Sequence, residues 1–231
     1  GESHRVAGSR SGFFLRVPLG IVIAITPFNF PLNLAAHKVA PAVAAGNAVI
    51  LKPASATPLT GLALGEILYE SGLPHDVLSV VTGPGGRVGS ALASDPRPRM
   101  ITFTGSREVG GKIAGCAGLK KTAFELGSNA GVIVTEHCDV PAAAERCVRG
   151  ACALAGQVCI SVQRVLVVRS VFDEFSDAAV AAARSLRTGD QMADDTDVGP
   201  MISEPEARRA ETWLDEAISS GAEVLCGGER R

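Results

Sequence analysis

The 231-residue sequence is poor in aromatic residues, which make up 4% of it and include one tryptophan and one tyrosine. It has no surplus of positive charge, since 22 basic residues face 24 acidic ones for a formal charge of −2. A chain without a basic stripe or stacking platforms is a poor partner for nucleic acid. No hydrophobic run reaches membrane-spanning length, because Ile21 to Thr26 is short and Pro27 follows it. No membrane partner is therefore expected. The N-terminus lacks the charged, apolar and small-residue succession of a secretory leader, so a cytoplasmic location is expected. The six cysteines, at 116, 138, 147, 152, 159 and 226, contain no C-x-x-C pair. That spacing does not resemble a zinc knuckle, no metal is expected, and the thiols read as reduced.

Apolar material is plentiful, at 46% hydrophobic and 20% charged residues, as in a globular chain with a buried core. Apolar runs at Gly20–Ile25, Ala48–Leu51, Val77–Val81, Met100–Phe103 and Lys121–Glu125 read as strands. Between them, Leu32–Ala45, Leu59–Glu70, Val88–Ala93 and Glu108–Ala117 read as helices. Such alternation predicts an α/β fold with a doubly wound, mostly parallel sheet of the Rossmann-like type. From Asp139 the character changes. Helices are predicted over Ala142–Leu154, Val171–Leu186 and Glu204–Ser219, with strands over Arg164–Val168 and from Glu223 to Cys226. The expected organisation is a partial hairpin over 1–18, a dinucleotide-binding domain over 19–150, and the beginning of a second, catalytic α/β domain over 151–231. The start at Gly1 and the stop after Arg231 read as those of a piece of a longer protein.

Ligands of parallel sheets bind at the carboxyl ends of the strands. Asn29, Lys52, Gly83, Gly105 and Glu125 all fall at or just after a predicted strand end. Cys159 follows Gly156-Gln157-Val158, and Glu125 is followed by Leu126-Gly127. A cysteine between small and polar neighbours can act as a nucleophile, and a glutamate folding back beside it as a general base. Together they point to covalent catalysis at a carbonyl carbon.

Five segments in order, Thr26-Pro27-Phe28-Asn29-Phe30-Pro31, Leu51-Lys52-Pro53-Ala54-Ser55, Phe103-Thr104-Gly105-Ser106, Glu125-Leu126-Gly127 and Gly156-Gln157-Val158-Cys159, resemble the aldehyde dehydrogenase superfamily. The resemblance implies most of its dinucleotide-binding domain and the opening of its catalytic domain. It implies oxidation of a small-molecule aldehyde to a carboxylic acid with NAD or NADP, through a cysteine thiohemiacetal and a thioester. Cys159 is the implied nucleophile and Asn29 the oxyanion donor, joined by the Cys159 backbone N–H. Glu125 is the implied base for the deacylating water. Outside that setting these residues would read as a buried cysteine, a turn or capping asparagine and a surface glutamate.

For the cofactor, the resemblance implies Thr26, Pro27, Lys52, Ser55, Gly85, Gly89, Gly105, Ser106, Leu126 and Gly127. The family often has glutamate where Ser55 stands, and a carboxylate there repels a 2′-phosphate. NADP is therefore expected to be tolerated, and preference between the two cofactors stays open. The turn Gly83-x-Gly85-x-x-x-Gly89 is one residue too long for a dinucleotide fingerprint. Ser128 stands where the family usually has a second glycine. Lys38 resembles a family lysine assigned to proton relay, with a solvated helix-face lysine as the plain alternative. Phe28, Phe30, Asn33, Val158 and Ile160 are expected at the substrate tunnel, for a small or medium, partly apolar aldehyde. The family also implies a homodimer or homotetramer, with Ser11 to Val17 in an interface hairpin. Two alternatives stay open: a coenzyme A-acylating enzyme, against which Glu125 argues, and a non-catalytic nucleotide-binding fragment.

Overall fold

The computed structural model describes residues 2–5 and 11–230. It divides into two compact units, Gly1–Leu126 and Gly127–Arg231.

In the first unit, β1 (Glu2–Arg5) and β2 (Ser11–Phe14) pair antiparallel. They form the arms of the hairpin expected over 1–18; its residues 1 and 6–10 lie outside the described residues. Phe13, Phe14, Leu15 and Val17 are exposed.

The main sheet has five strands: β3 (Ile21–Ile25), β4 (Ala48–Lys52), β5 (Leu78–Val80), β6 (Met100–Thr104) and β7 (Lys121–Glu125). Their order is β5-β4-β3-β6-β7, and every pairing is parallel. The strand order reverses at β3, the switch point where such sheets bind ligands. The connecting helices are α1 (Pro31–Ala44), α2 (Pro58–Glu70), α3 (Ser90–Ser94) and α4 (Arg107–Cys116).

Side-chain alternation along the strands divides the core in two. Ile23, Ile25, Ile101 and Phe103 pack with Ala93 of α3 and Ile113 of α4. Ala24, Val49, Leu51 and Leu78 pack with Ala35 and Val39 of α1 and with Leu64 and Leu68 of α2. Both faces of the central strands are therefore covered, which is why they read as unbroken apolar runs. The edge strand β7 departs from that expectation, since Lys121, Thr122, Ala123 and Glu125 are exposed.

Asn47, which attracted no functional reading, ties the entrance of β3 to the end of α1. Its side-chain oxygen accepts from the backbone N–H groups of Leu19 at 2.6 Å and Gly20 at 3.1 Å. Its amide nitrogen donates to the Ala42 carbonyl at 3.0 Å. The expected helix from Val88 opens instead with a π-helical turn over Gly85–Gly89, and α3 begins at Ser90.

In the second unit, β8 (Gly131–Val134) pairs parallel with β9 (Arg164–Val167). The helices are α5 (Val140–Cys152), α6 (Phe172–Ser185) and α7 (Glu204–Ser219). Val134, Val140, Ala144, Cys147 and Phe175 form its core, with Val132, Val165 and Val167 packed against them. Strand β8 was not expected from the sequence. It and α5 share this core with β9 and α6, so the compact units part at Leu126–Gly127, ahead of the boundary read at 150–151. Helix α5 stops at Cys152 rather than Leu154, because Leu154 and Ala155 take left-handed conformations. The strand expected over Glu223–Cys226 does not form: among the described residues no strand pairs with it. Among the described residues no helix is long and apolar enough to cross a membrane.

Candidate active site

The parallel register of the first unit brings the ends of its strands level. Ile25 pairs with both Lys52 and Phe103, and Thr104 pairs with Glu125. The loops that follow hold Thr26 to Phe30, Pro53 to Ser55, Gly105 and Ser106, and Leu126 at one sheet edge. Thr26 is buried, and its N–H donates to the Lys52 carbonyl at 3.2 Å. Asn29 is buried, whereas Phe30 and Asn33 at the start of α1 are exposed. Pro31 occupies the first helical turn, where its fixed φ and missing N–H suit the helix.

Phe30 itself has φ 46° and ψ 51°. A non-glycine residue held left-handed costs roughly 1 kcal/mol, and such strain collects at functional sites. It sits directly after Asn29.

Lys52 is 2% exposed, and its ammonium donates to the Pro53 carbonyl at 3.0 Å. Burial lowers its pKa below the ordinary lysine value. Lys38 is also buried and donates to the Thr102 hydroxyl at 3.2 Å. The solvated helix-face alternative for Lys38 is thereby corrected. Burial pushes its pKa down, and the Glu125 carboxylate draws it part of the way back.

Ser55 is exposed, and its hydroxyl donates to the Gly83 carbonyl at 2.8 Å, tying the loop after β4 to the loop after β5. The one proton of that hydroxyl is used in this bond. Gly85 and Gly89 lie in the π-helical turn, with Gly85 exposed and Gly89 buried.

Ser106 caps α4, accepting from the Val109 N–H at 3.3 Å, which leaves its own O–H to donate. Gly105 donates its N–H to the Glu125 carbonyl at 3.1 Å. A Cβ at Gly105 would lie 2.5 Å from the Phe103 ring, so only glycine fits there. The neighbouring Thr104 hydroxyl is buried and has no hydrogen-bond partner among the described residues. An orphaned hydroxyl beside bare backbone at the switch-point edge is a place a dinucleotide fits. Glu125, at the end of β7, is exposed rather than closing a buried apolar strand.

The second unit holds Gly127, Val158, Cys159 and Ile160. Gly127 has no atom within 4 Å of a prospective Cβ, leaving open space over its backbone. Val158 is buried, while Cys159 and Ile160 are exposed. The loop ahead of the cysteine is tightly wound. Leu154, Ala155 and Gly156 have φ of 52°, 54° and 74° in succession. Nothing in the sequence of the first two signals this, since neither is Gly, Asn or Asp.

Gln157 then fastens the loop from both ends of its amide: the nitrogen donates to the Leu154 carbonyl at 2.9 Å, and the oxygen accepts from the Ile202 N–H at 2.9 Å. Ser128 donates from its hydroxyl to the Cys159 carbonyl at 2.6 Å. Burial raises the pKa of Cys147 and Cys152, the latter further raised by neighbouring Cys226. Thiols held protonated in this way are poor nucleophiles.

Over residues 1–231 the chain matches the aldehyde dehydrogenase family. It is 46% identical over 230 residues to aspartate-semialdehyde dehydrogenase 1 of Pseudomonas canavaninivorans, covering 100% of this chain and 49% of that protein. The crystal structure of an NAD-dependent aldehyde dehydrogenase from Sinorhizobium meliloti superposes with a TM-score of 0.95 at 39% identity, over 100% of this chain and 46% of that one. Glyceraldehyde-3-phosphate dehydrogenase from Methanocaldococcus jannaschii, complexed with NADP, gives a TM-score of 0.90 at 42% identity over 94% and 48% of the two chains. The chain thus spans about half the length of the curated relatives it matches.

Proposed function

The chain belongs to the aldehyde dehydrogenase family, and from that premise we propose that its protein oxidises an aldehyde to a carboxylic acid with NAD or NADP. The observation that carries this reading is the convergence of the Asn29, Lys52, Gly105 and Glu125 segments on one edge of a parallel sheet.

A planar carbonyl carbon is a poor hydride donor, so a nucleophile must first make it tetrahedral. The Cys159 thiolate adds to that carbon, and its exposure supports the assignment. Negative charge moves to the former carbonyl oxygen, where the Asn29 amide and the Cys159 N–H stabilise it. Collapse of this oxyanion expels hydride and leaves a thioester on Cys159. NAD or NADP, when bound, accepts that hydride at its nicotinamide ring.

Glu125 then takes a proton from water as its oxygen adds to the thioester carbon. The second collapse releases the Cys159 thiolate and the carboxylic acid. Exposed Glu125 can meet solvent water.

Lys52 would hold the ribose hydroxyls of the adenosine half. Thr26, Pro27, Gly105, Ser106, Leu126 and Gly127 would line the remainder of the cofactor, with Gly85 and Gly89 near the adenine. The absence of a carboxylate at Ser55 favours acceptance of NADP. Phe30, Asn33, Val158 and Ile160 would flank a small or medium, partly apolar aldehyde. The β1–β2 hairpin, with Phe13 and Phe14 exposed, would carry assembly into a homodimer or homotetramer.

The test is to follow reduced nicotinamide and free acid across an aldehyde panel, for the protein and its Cys159→Ala variant. The expected result is acid formation by the first and none by the second. Equal rates in both would overturn the reading, and acyl-coenzyme A as the product would favour the acylating alternative.

A further inference from the structure

We propose that Ser128 is a positioning residue for the nucleophile, an inference that rests on the assignment of Cys159 made above. The two residues meet across 31 positions of sequence, the Ser128 hydroxyl donating to the Cys159 carbonyl at 2.6 Å. They arrive from neighbouring loops. Ser128 precedes β8 and Cys159 precedes β9, and these strands are parallel partners from the pair Gly131 and Arg164 onward. Arg164 draws the same loops together, its guanidinium donating to the Asn129 carbonyl at 3.1 Å.

The contact matters because of which peptide it holds. Two peptide planes meet at the Cys159 Cα. The plane before it carries the Cys159 N–H, the oxyanion donor, and its Val158 carbonyl is fixed by the Ser161 N–H at 3.0 Å. Ser161 is in turn buried and anchored by its hydroxyl to the Ala151 carbonyl at 3.0 Å. The plane after the Cα carries the Cys159 carbonyl, and Ser128 holds that one. The two bonds together set φ and ψ of Cys159, and with them the directions of the N–H and of the Cα–Cβ bond.

Packing does not do this work on the outer side, since Cys159 and Ile160 are both exposed. Removing the Ser128 hydroxyl frees ψ of Cys159 and spreads the sulfur over orientations unfit for attack on a held carbonyl.

The experiment compares the protein with its Ser128→Ala and Ser128→Thr variants on one aldehyde. It also measures the pH dependence of Cys159 alkylation by iodoacetamide, read from the Cys159 peptide by mass spectrometry. Ser128→Ala is expected to lower kcat about five- to tenfold, the factor set by one hydrogen bond, with KM within about twofold. Ser128→Thr keeps the donor and is expected to restore kcat. The pH midpoint of alkylation is expected to be the same in all three, because orientation rather than thiol acidity has changed. Unaltered kcat in Ser128→Ala, equal losses in both variants, or a shifted alkylation midpoint would each overturn the proposal. Cys159→Ala separates the two levels: if it retains turnover, the nucleophile assignment itself fails, whatever Ser128 does.

Discussion

The Lys38 ammonium donates to the Thr102 hydroxyl at 3.2 Å, joining the middle of α1 to β6 within the first unit. Burial lowers the pKa of this lysine from the ordinary 10.5, against a weaker opposing pull from Glu125. Between its folded and unfolded pKa values the unfolded chain therefore binds more protons, so stability rises with pH through that window. A Lys38→Met variant lacks the titration. The melting temperature of the variant minus that of the parent should fall as pH rises toward 10.5, the upper end of the window. A difference that stays flat or grows across that range would rule out a depressed lysine at this position.

Gly105 and Gly111 should respond to alanine in opposite directions. At Gly105 a new Cβ meets the buried Phe103 ring at 2.5 Å, and Phe124 packs edge-on against that ring. Gly105→Ala should lose about 1–3 kcal/mol by overpacking. Gly111 lies inside α4 with nothing within 4 Å of a prospective Cβ. Gly111→Ala should gain about 0.5–1 kcal/mol from reduced chain entropy. Urea unfolding of the two variants checks both signs.

Ala155→Gly should stabilise the chain. Its φ of 54° is one an alanine rarely adopts. Glycine removes the steric penalty but loses more backbone freedom on folding, so a net gain of about 0.5–1 kcal/mol is expected. Ala155→Val should lower the unfolding midpoint instead.

Ser55→Glu should turn cofactor preference toward NAD. The new carboxylate would stand where a 2′-phosphate is proposed to lie and would no longer bond to the Gly83 carbonyl. The ratio of kcat/KM for NADP over NAD should fall about tenfold or more, equivalent to roughly 1.4 kcal/mol of repulsion. An unchanged ratio would remove position 55 from the cofactor reading.

The parallel sheet was legible because β3, β4 and β6 are covered on both faces and so read as apolar blocks. Their ends pointed to the Asn29, Lys52 and Gly105 segments for the same reason. Strand β8 escaped notice because it follows β7 with no helix between them, breaking the alternation that disclosed the others. The sequence leaves a solvated Lys38 open because a lone lysine on a helix carries no mark of burial. The left-handed turn at Leu154 and Ala155 has no local signature, and the Ser128–Cys159 bond links residues 31 positions apart. Both arise from tertiary structure, which residue periodicity does not encode.

Strand β3 is the earliest of its sheet in the chain, yet it lies at the centre, flanked by β4 and β6. During synthesis one flank can close as soon as Ala48–Lys52 leaves the ribosome, whereas the other must wait for Met100–Thr104. A nascent chain therefore carries a bare row of backbone donors and acceptors beside Ile21–Ile25 over that interval, the kind of edge that invites mispairing.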